Sequence, residues 1–299
     1  MDCMSKSRWK FAGGGARLAY LLDPDPGNPV VLLHSLATSA RTWEPVRRAL
    51  GGRLRLLTPD CRGHGRSETG PMSPSAWADD LARILDDADV NRCVVGGVSL
   101  GGIQALAFAA RHPDRVTGVV AADTFAHLEP AVATARIGSL VDQASTLTMV
   151  DVAEQYVADT FTDTPPPASN LVAEEMAAMP AAVFCDAVRA CFSVDIRADL
   201  AQVRCPAVVA WGENDTKTPR ALSEAITDGL PDAELVVIPA AGHLSHLDNA
   251  PAFAGIVLDF HTRLAATTGQ AIPAQETTAR ATTELAMTET ATTQPEGVA

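Results

Sequence analysis

Residues 94–112 read VVGGVSLGGIQALAFAARH: a short apolar run, a serine between glycines, then apolar residues at helical spacing. A continuous apolar run of this length is the mark of a strand buried in a parallel sheet. Ser99 therefore falls at a strand-to-helix turn, with Gly97 and Gly101 two residues to either side. A side chain on so sharp a turn projects from the sheet. The amides that follow stand at a helix N-terminus, where developing negative charge is stabilised. The turn closes only if its neighbours are small. G-x-S-x-G recurs by chance on its own, and a glycine-rich packing turn with a spare serine is the plain alternative. The strand–turn–helix context is what gives the motif weight.

Outward from this turn, strands and helices alternate. Two short strands, near Trp9–Ala12 and Arg17–Leu22, flank a Gly-Gly-Gly turn, and VVLLH, TWEPVRRAL and LRLLTPD then read as strand, helix and strand. Ser73-Pro74 marks a helix start, serine as cap and proline as first helical residue. Past the strand VTGVVAAD, residues 127–203 are Ala-rich, helical in pattern and broken by TDTPPPASN. Alternation resumes with PAVVAWGEND, a helix from Pro219 capped by Thr218, the strand AELVVIPAAGH and a last helix over Pro251–Ala265. This order predicts a mainly parallel, doubly wound α/β sheet built from 1–126 and 204–265, with 127–203 as a helical cap inserted between two strands. Residues 266–299, rich in Thr and Ala, read as a disordered tail.

A serine hydroxyl attacks only if a base takes its proton and an acid orients the base. Asp215 ends one strand and His243 follows the next, so both lie beyond the carboxyl ends of strands, on the same sheet edge as Ser99. Asp123 is the rival acid. The Leu100 amide, directly after the serine, and the Leu36 amide, in the loop after VVLLH, are the expected oxyanion donors. His34, Ser35, Trp43, Phe125 and His246 are the candidates for lining the substrate pocket.

Composition removes several alternatives. A formal net charge of −13 disfavours nucleic acid and anionic membranes as partners. No apolar run approaches the roughly 20 residues of a membrane span. The N-terminus has no apolar signal segment, so a cytoplasmic location is expected. The six cysteines form no C-x-x-C pair and read as separate thiols. The chain of 299 residues shows no metal-ligand spacing, and the expected chemistry needs no cofactor. Nothing in the sequence sets the oligomeric state.

LLHSLATSARTWEP, TPDCRGHGRSE, GGVSLGGIQALAFAARHPDRV, WGENDTKTP and PAAGHLSHLDNAPAF together resemble the α/β-hydrolase superfamily over roughly residues 8–265, and within it the 3-oxoadipate enol-lactonases. The resemblance implies the α/β-hydrolase fold and a serine hydrolase acting on a small ester or lactone. It gives Ser99, Asp215 and His243 the roles of nucleophile, acid and base, with the Leu36 and Leu100 amides as the oxyanion hole. His34-Ser35 and His246 depart from the enol-lactonase pattern, and the cap offers few basic residues (Arg136, Arg189, Arg197) for a carboxylated lactone. The same residues would also serve a C–C bond hydrolase of ring-cleavage products or a cofactor-free perhydrolase. A small-molecule receptor on the same fold is the non-enzymatic alternative.

Overall fold

The computed structural model describes residues 8–24, 27–161 and 165–268. Eight strands form one sheet: β1 Arg8–Ala12, β2 Leu18–Leu22, β3 Val30–Leu33, β4 Leu56–Pro59, β5 Cys93–Val98, β6 Val116–Ala122, β7 Ala207–Gly212 and β8 Ala233–Ile238. Their spatial order is β1-β2-β4-β3-β5-β6-β7-β8. β1 pairs with β2, and β2 with β4, antiparallel, while every pairing from β4 to β8 is parallel. The helices are α1 Glu44–Leu50, α2 Pro74–Asp87, α3 Leu100–Arg111, α4 Pro130–Thr146, α5 Met149–Thr160, α6 Ser169–Ala178, α7 Ala181–Phe192, α8 Arg197–Leu200, α9 Arg220–Gly229, α10 Ser245–Asp248 and α11 Ala250–Thr268. None of them is long and apolar enough to cross a membrane.

β3 shows why the sheet is covered on both faces. Its four apolar residues are all buried, but the pleat sends them to opposite sides. Val31 and Leu33 join the core with Leu81 and Ile84 of α2 and Ile103 and Leu106 of α3. Val30 and Leu32 join the other core, with Val46 and Leu50 of α1 and Phe253 and Val257 of α11. An alternating polar pattern could not fill both layers. The run VVLL does.

Ser73 caps α2 as read, its hydroxyl accepting from the Ala76 amide at 3.1 Å. Thr218 does not cap α9. Pro219 takes that position, and the Thr218 hydroxyl is turned instead to Asp215. Between β6 and β7 the chain runs through α4 to α8. The two ends of this excursion meet in an antiparallel bridge between His127 and Asp195 and a hydrogen bond from the Ile196 amide to the Ala126 carbonyl. α6 lies on the core beside the loop after β8, where Val172 packs with Leu244 and Leu247. α11 runs to Thr268, past the expected end at Ala265, so residues 266–268 are helical rather than tail. The rest of the expected tail, like Cys3, lies outside the described residues. The described cysteines are all unbridged, Cys185 and Cys191 included.

Candidate active site

Ser99 occupies the turn between β5 and α3 with φ 55° and ψ −118°, a left-handed backbone for a residue with a side chain. Such a conformation costs about 1–3 kcal/mol and persists only where surroundings enforce it. Here the Ser99 amide donates to the Ala122 carbonyl at 2.9 Å, and the Thr124 hydroxyl donates to the Ser99 carbonyl at 2.7 Å. The flanking glycines are required by approach. A Cβ on Gly97 would stand 2.2 Å from the Gly101 carbonyl carbon, and one on Gly101 would stand 2.0 Å from the Leu33 carbonyl oxygen. No side chain fits either place.

Asp215 sits three residues beyond β7, and His243 in the loop after β8. The His243 ring spans the gap between them and Ser99: Nε2 lies 3.1 Å from Ser99 Oγ, and Nδ1 lies 3.1 Å from Asp215 Oδ2. The other carboxylate oxygen, Oδ1, accepts from the Lys217 amide at 2.8 Å and the Thr218 amide at 3.0 Å. The Thr218 hydroxyl donates to Oδ2 as well. Burial raises the Asp215 carboxyl, but the His243 hydrogen bond and charge, with the Thr218 hydroxyl and amide, outweigh it. The net effect holds the carboxyl below its usual range, ionised at neutral pH. Ser99 and His243 are each only 7% exposed.

Asp123 spends both carboxylate oxygens on partners other than His243. Its carboxylate accepts from the Gly212 amide at 2.7 Å and the Ser245 hydroxyl at 2.5 Å. Burial and the charge of Asp215 push it well above the usual carboxylate range.

The expected oxyanion donors stand at two turns. Leu100 is the first residue of α3, and Leu36 lies three residues past β3. Neither amide donates to another group among the described residues. His34, expected in the pocket, spends both ring nitrogens on the protein. Nδ1 donates to the Ser35 carbonyl at 2.8 Å, and Nε2 accepts from the Cys61 amide at 2.9 Å. It therefore anchors the loop that carries Leu36, and burial pushes its imidazole down to about 4. The Trp43 and His246 rings lie 4.6 Å apart, tilted at 47°, and both lean on Phe253. Phe125 is buried at the end of β6 and stacks on Phe192 of α7 at 6.1 Å, joining core to cap.

Two functional candidates have no counterpart in the sequence reading. Thr218 clamps Asp215. Tyr156 of α5 is half-buried on the core and feels the charge of Asp215. Aromatic residues in a helical insertion carry no positional signal, whereas a threonine before a proline reads equally well as a helix cap. Among the described residues no cluster of histidine, cysteine or carboxylates could hold a metal ion.

A family model described as "Alpha/beta hydrolase family" matches residues 30–256. RutD of Caulobacter sp. (strain K31), named provisionally as a carbamate hydrolase, is 30% identical over 79% of this chain and 91% of its own length. The pimeloyl-[acyl-carrier protein] methyl ester esterase of Aromatoleum aromaticum (strain DSM 19018 / LMG 30748 / EbN1) is 30% identical over 77% of this chain and 96% of its own. Among solved structures, the enol-lactonase of Burkholderia xenovorans LB400 superposes with a TM-score of 0.75 at 26% identity, covering 85% of this chain and all of the other.

Proposed function

The chain belongs to the alpha/beta hydrolase family, and from that premise we propose that it is a serine hydrolase that opens a small ester or lactone through an acyl-enzyme. The observation that carries this is the unbroken relay from Ser99 Oγ through both His243 nitrogens to a buried, ionised Asp215. In the resting site the ring proton sits on Nδ1, facing Asp215, which leaves Nε2 free to take the Ser99 proton. The serine oxygen attacks the substrate carbonyl while the Leu36 and Leu100 amides receive the oxyanion. Neither amide is spent on another acceptor among the described residues, which leaves both available to the developing charge. Asp215 stabilises the imidazolium without taking its proton. His243 then protonates the leaving alcohol, and a water deprotonated by the same nitrogen releases the acid.

A carbamate is the rival substrate class, favoured by the 30% identity to RutD. It would use the same relay, with an amine-bearing carbonyl in place of an ester.

The test is steady-state hydrolysis of 3-oxoadipate enol-lactone, p-nitrophenyl acetate and butyrate, and a simple carbamate, by wild type and Ser99→Ala. The expected result is turnover of an ester or lactone, with kcat falling at least about 10⁴-fold in the variant. Near-full activity in Ser99→Ala would overturn the assignment of the nucleophile. Turnover of the carbamate alone would move the substrate class.

A further inference from the structure

We propose that Thr218 is a positioning residue for the reaction: its hydroxyl, set between Asp215 and the His243 ring, fixes the tautomer and orientation that leave Nε2 free for Ser99. The inference rests on the proposed Ser99 nucleophile and deepens that reading by one residue, which lies outside the relay itself.

Thr218 closes the turn that begins at Asp215. The Lys217 and Thr218 amides donate to Asp215 Oδ1 at 2.8 and 3.0 Å, so the backbone occupies that oxygen. Oδ2 is left to side chains and meets two of them: the Thr218 hydroxyl, and His243 Nδ1 at 3.1 Å. Thr218 Oγ1 also stands 3.4 Å from Nδ1. Hydroxyl, carboxylate and imidazole thus form a closed triangle, with Thr218 and Asp215 both buried. The backbone aims the hydroxyl into it. A residue before proline is held out of the helical region, and Pro219 takes the cap of α9. The Thr218 carbonyl accepts from Trp211 Nε1 at 3.1 Å, so both of its backbone groups are spent on β7 and the Asp215 turn.

Two proton arrangements are open to that triangle. In one, the hydroxyl donates to Oδ2 and its oxygen turns a lone pair toward the ring. Nδ1 then faces two acceptors and must carry the ring proton, which leaves Nε2 bare for Ser99. In the other, the hydroxyl donates to Nδ1, the ring proton moves to Nε2, and Ser99 loses its base. The Nδ1 contact, at 3.4 Å, is long for a hydroxyl donor, and an ionised carboxylate is the stronger acceptor. The first arrangement therefore wins, and it is the one the relay needs. A valine at this position would fill the same space. It would take away the second acceptor at Nδ1 and one donor from Oδ2, so neither the tautomer nor the tilt of the ring would be held as firmly.

The experiment measures kcat and KM separately for p-nitrophenyl acetate and butyrate in wild type, Thr218→Val and Thr218→Ser. Nitrogen NMR of the same full-length proteins, labelled at histidine, reads the tautomer of the neutral His243 ring, whose signals are identified by their loss in His243→Gln. The expected result is a wild-type ring protonated on Nδ1. Thr218→Val should show a mixture of tautomers and a kcat lower by about tenfold to a hundredfold, with KM little changed. Thr218→Ser, which keeps the hydroxyl, should recover most of kcat and the single tautomer. A Thr218→Val protein with wild-type kcat overturns the proposal. So does a loss of kcat that serine does not restore and that leaves the tautomer as it was, since that is a packing effect. A wild type that carries its proton on Nε2 overturns it without any variant. If wild type hydrolyses no ester, the functional reading fails, and the NMR comparison alone decides: mixed tautomers in Thr218→Val uphold the role of Thr218, and an unchanged ring overturns it.

Discussion

Asp123 shows how one buried side chain can hold the loops that carry Asp215 and His243. It sits at the end of β6 with φ 48°, a backbone that Asp and Asn tolerate better than other residues with side chains. Its carboxylate joins the Gly212 amide, at the foot of the Asp215 loop, to the Ser245 hydroxyl, two residues past His243. Asp123→Ala leaves both donors unmatched inside the protein, at about 1–3 kcal/mol for each buried group, and puts alanine in a left-handed turn. The expected outcome is a lower unfolding midpoint, with kcat reduced more than KM is raised, because the His243–Asp215 register loosens. Asp123→Asn keeps an acceptor for Gly212 and tolerates the backbone, so it should recover most of both losses. Full kcat in Asp123→Ala would show that the two loops hold their register without it. The glycines at 97 and 101 make a contrasting case. They are fixed by distance to backbone atoms, so no conservative replacement rescues them.

Among the elements, the turn Ala40–Trp43 is joined to α6 by an ionic link. Arg41 reaches Glu175 at 2.7 Å and Glu174 at 3.1 Å. Arg41 and Glu174 are well exposed, so the pair contributes little to global stability, about 0–1 kcal/mol. Its effect should be local. Arg41→Gln is expected to leave the unfolding midpoint nearly unchanged while speeding amide exchange in Ser169–Ala178 and leaving β5 and β6 alone. Raised salt should reproduce the effect in the wild type, and uniform exchange along α6 in both proteins would refute it. This link also marks where sequence reading loses hold. β3, β5 and α3 were legible because a strand buried on both faces and a strained turn leave few residue choices. The meeting of Ser99, Asp215 and His243 at one sheet edge was legible because each follows the end of a strand. Tyr156 and the Arg41 pair depend on how the cap lies over the core, which no local period encodes. Trp43 and His246 look like pocket residues in sequence because an aromatic near a histidine fits a site equally well. Their rings pack on each other and on Phe253, and His246 still lies close enough to His243 and His34 to feel their charge.

Across the whole molecule, three histidines are buried in and around the floor of the site. Burial, reinforced for His64 by His34 and for His246 by His243 and His34, pushes His34 down to about 4 and His64 and His246 to about 3. Each is neutral in the folded protein and charged in the unfolded chain below about 6.5. Their contribution to stability is therefore complete above that value and is lost as pH falls toward the folded values. Asp60 runs the other way. Burial raises it to about 6, so it favours the folded state as pH falls from 6 toward its ordinary value, and buried Asp123 acts in the same sense. Three histidines against two carboxyls leave a net loss on acidification, of order 1 kcal/mol per pH unit between about 6 and 4. The cleanest way to isolate one term is His246, whose two nitrogens have no partner among the described residues and whose ring rests on Trp43. His246→Leu keeps the volume and removes the titration. Urea unfolding at pH 7, 6 and 5 should show the variant equal to or slightly more stable than wild type at pH 7, since a buried unpaired imidazole is lost. Its advantage should then grow by about 1.4 kcal/mol for each pH unit below 6.5. Parallel curves for the two proteins would mean that His246 does not titrate on unfolding in this range. His34 ties the same chemistry to the loop bearing Leu36: once protonated, its Nε2 can no longer accept from the Cys61 amide, and one of the two bonds that hold the loop is lost.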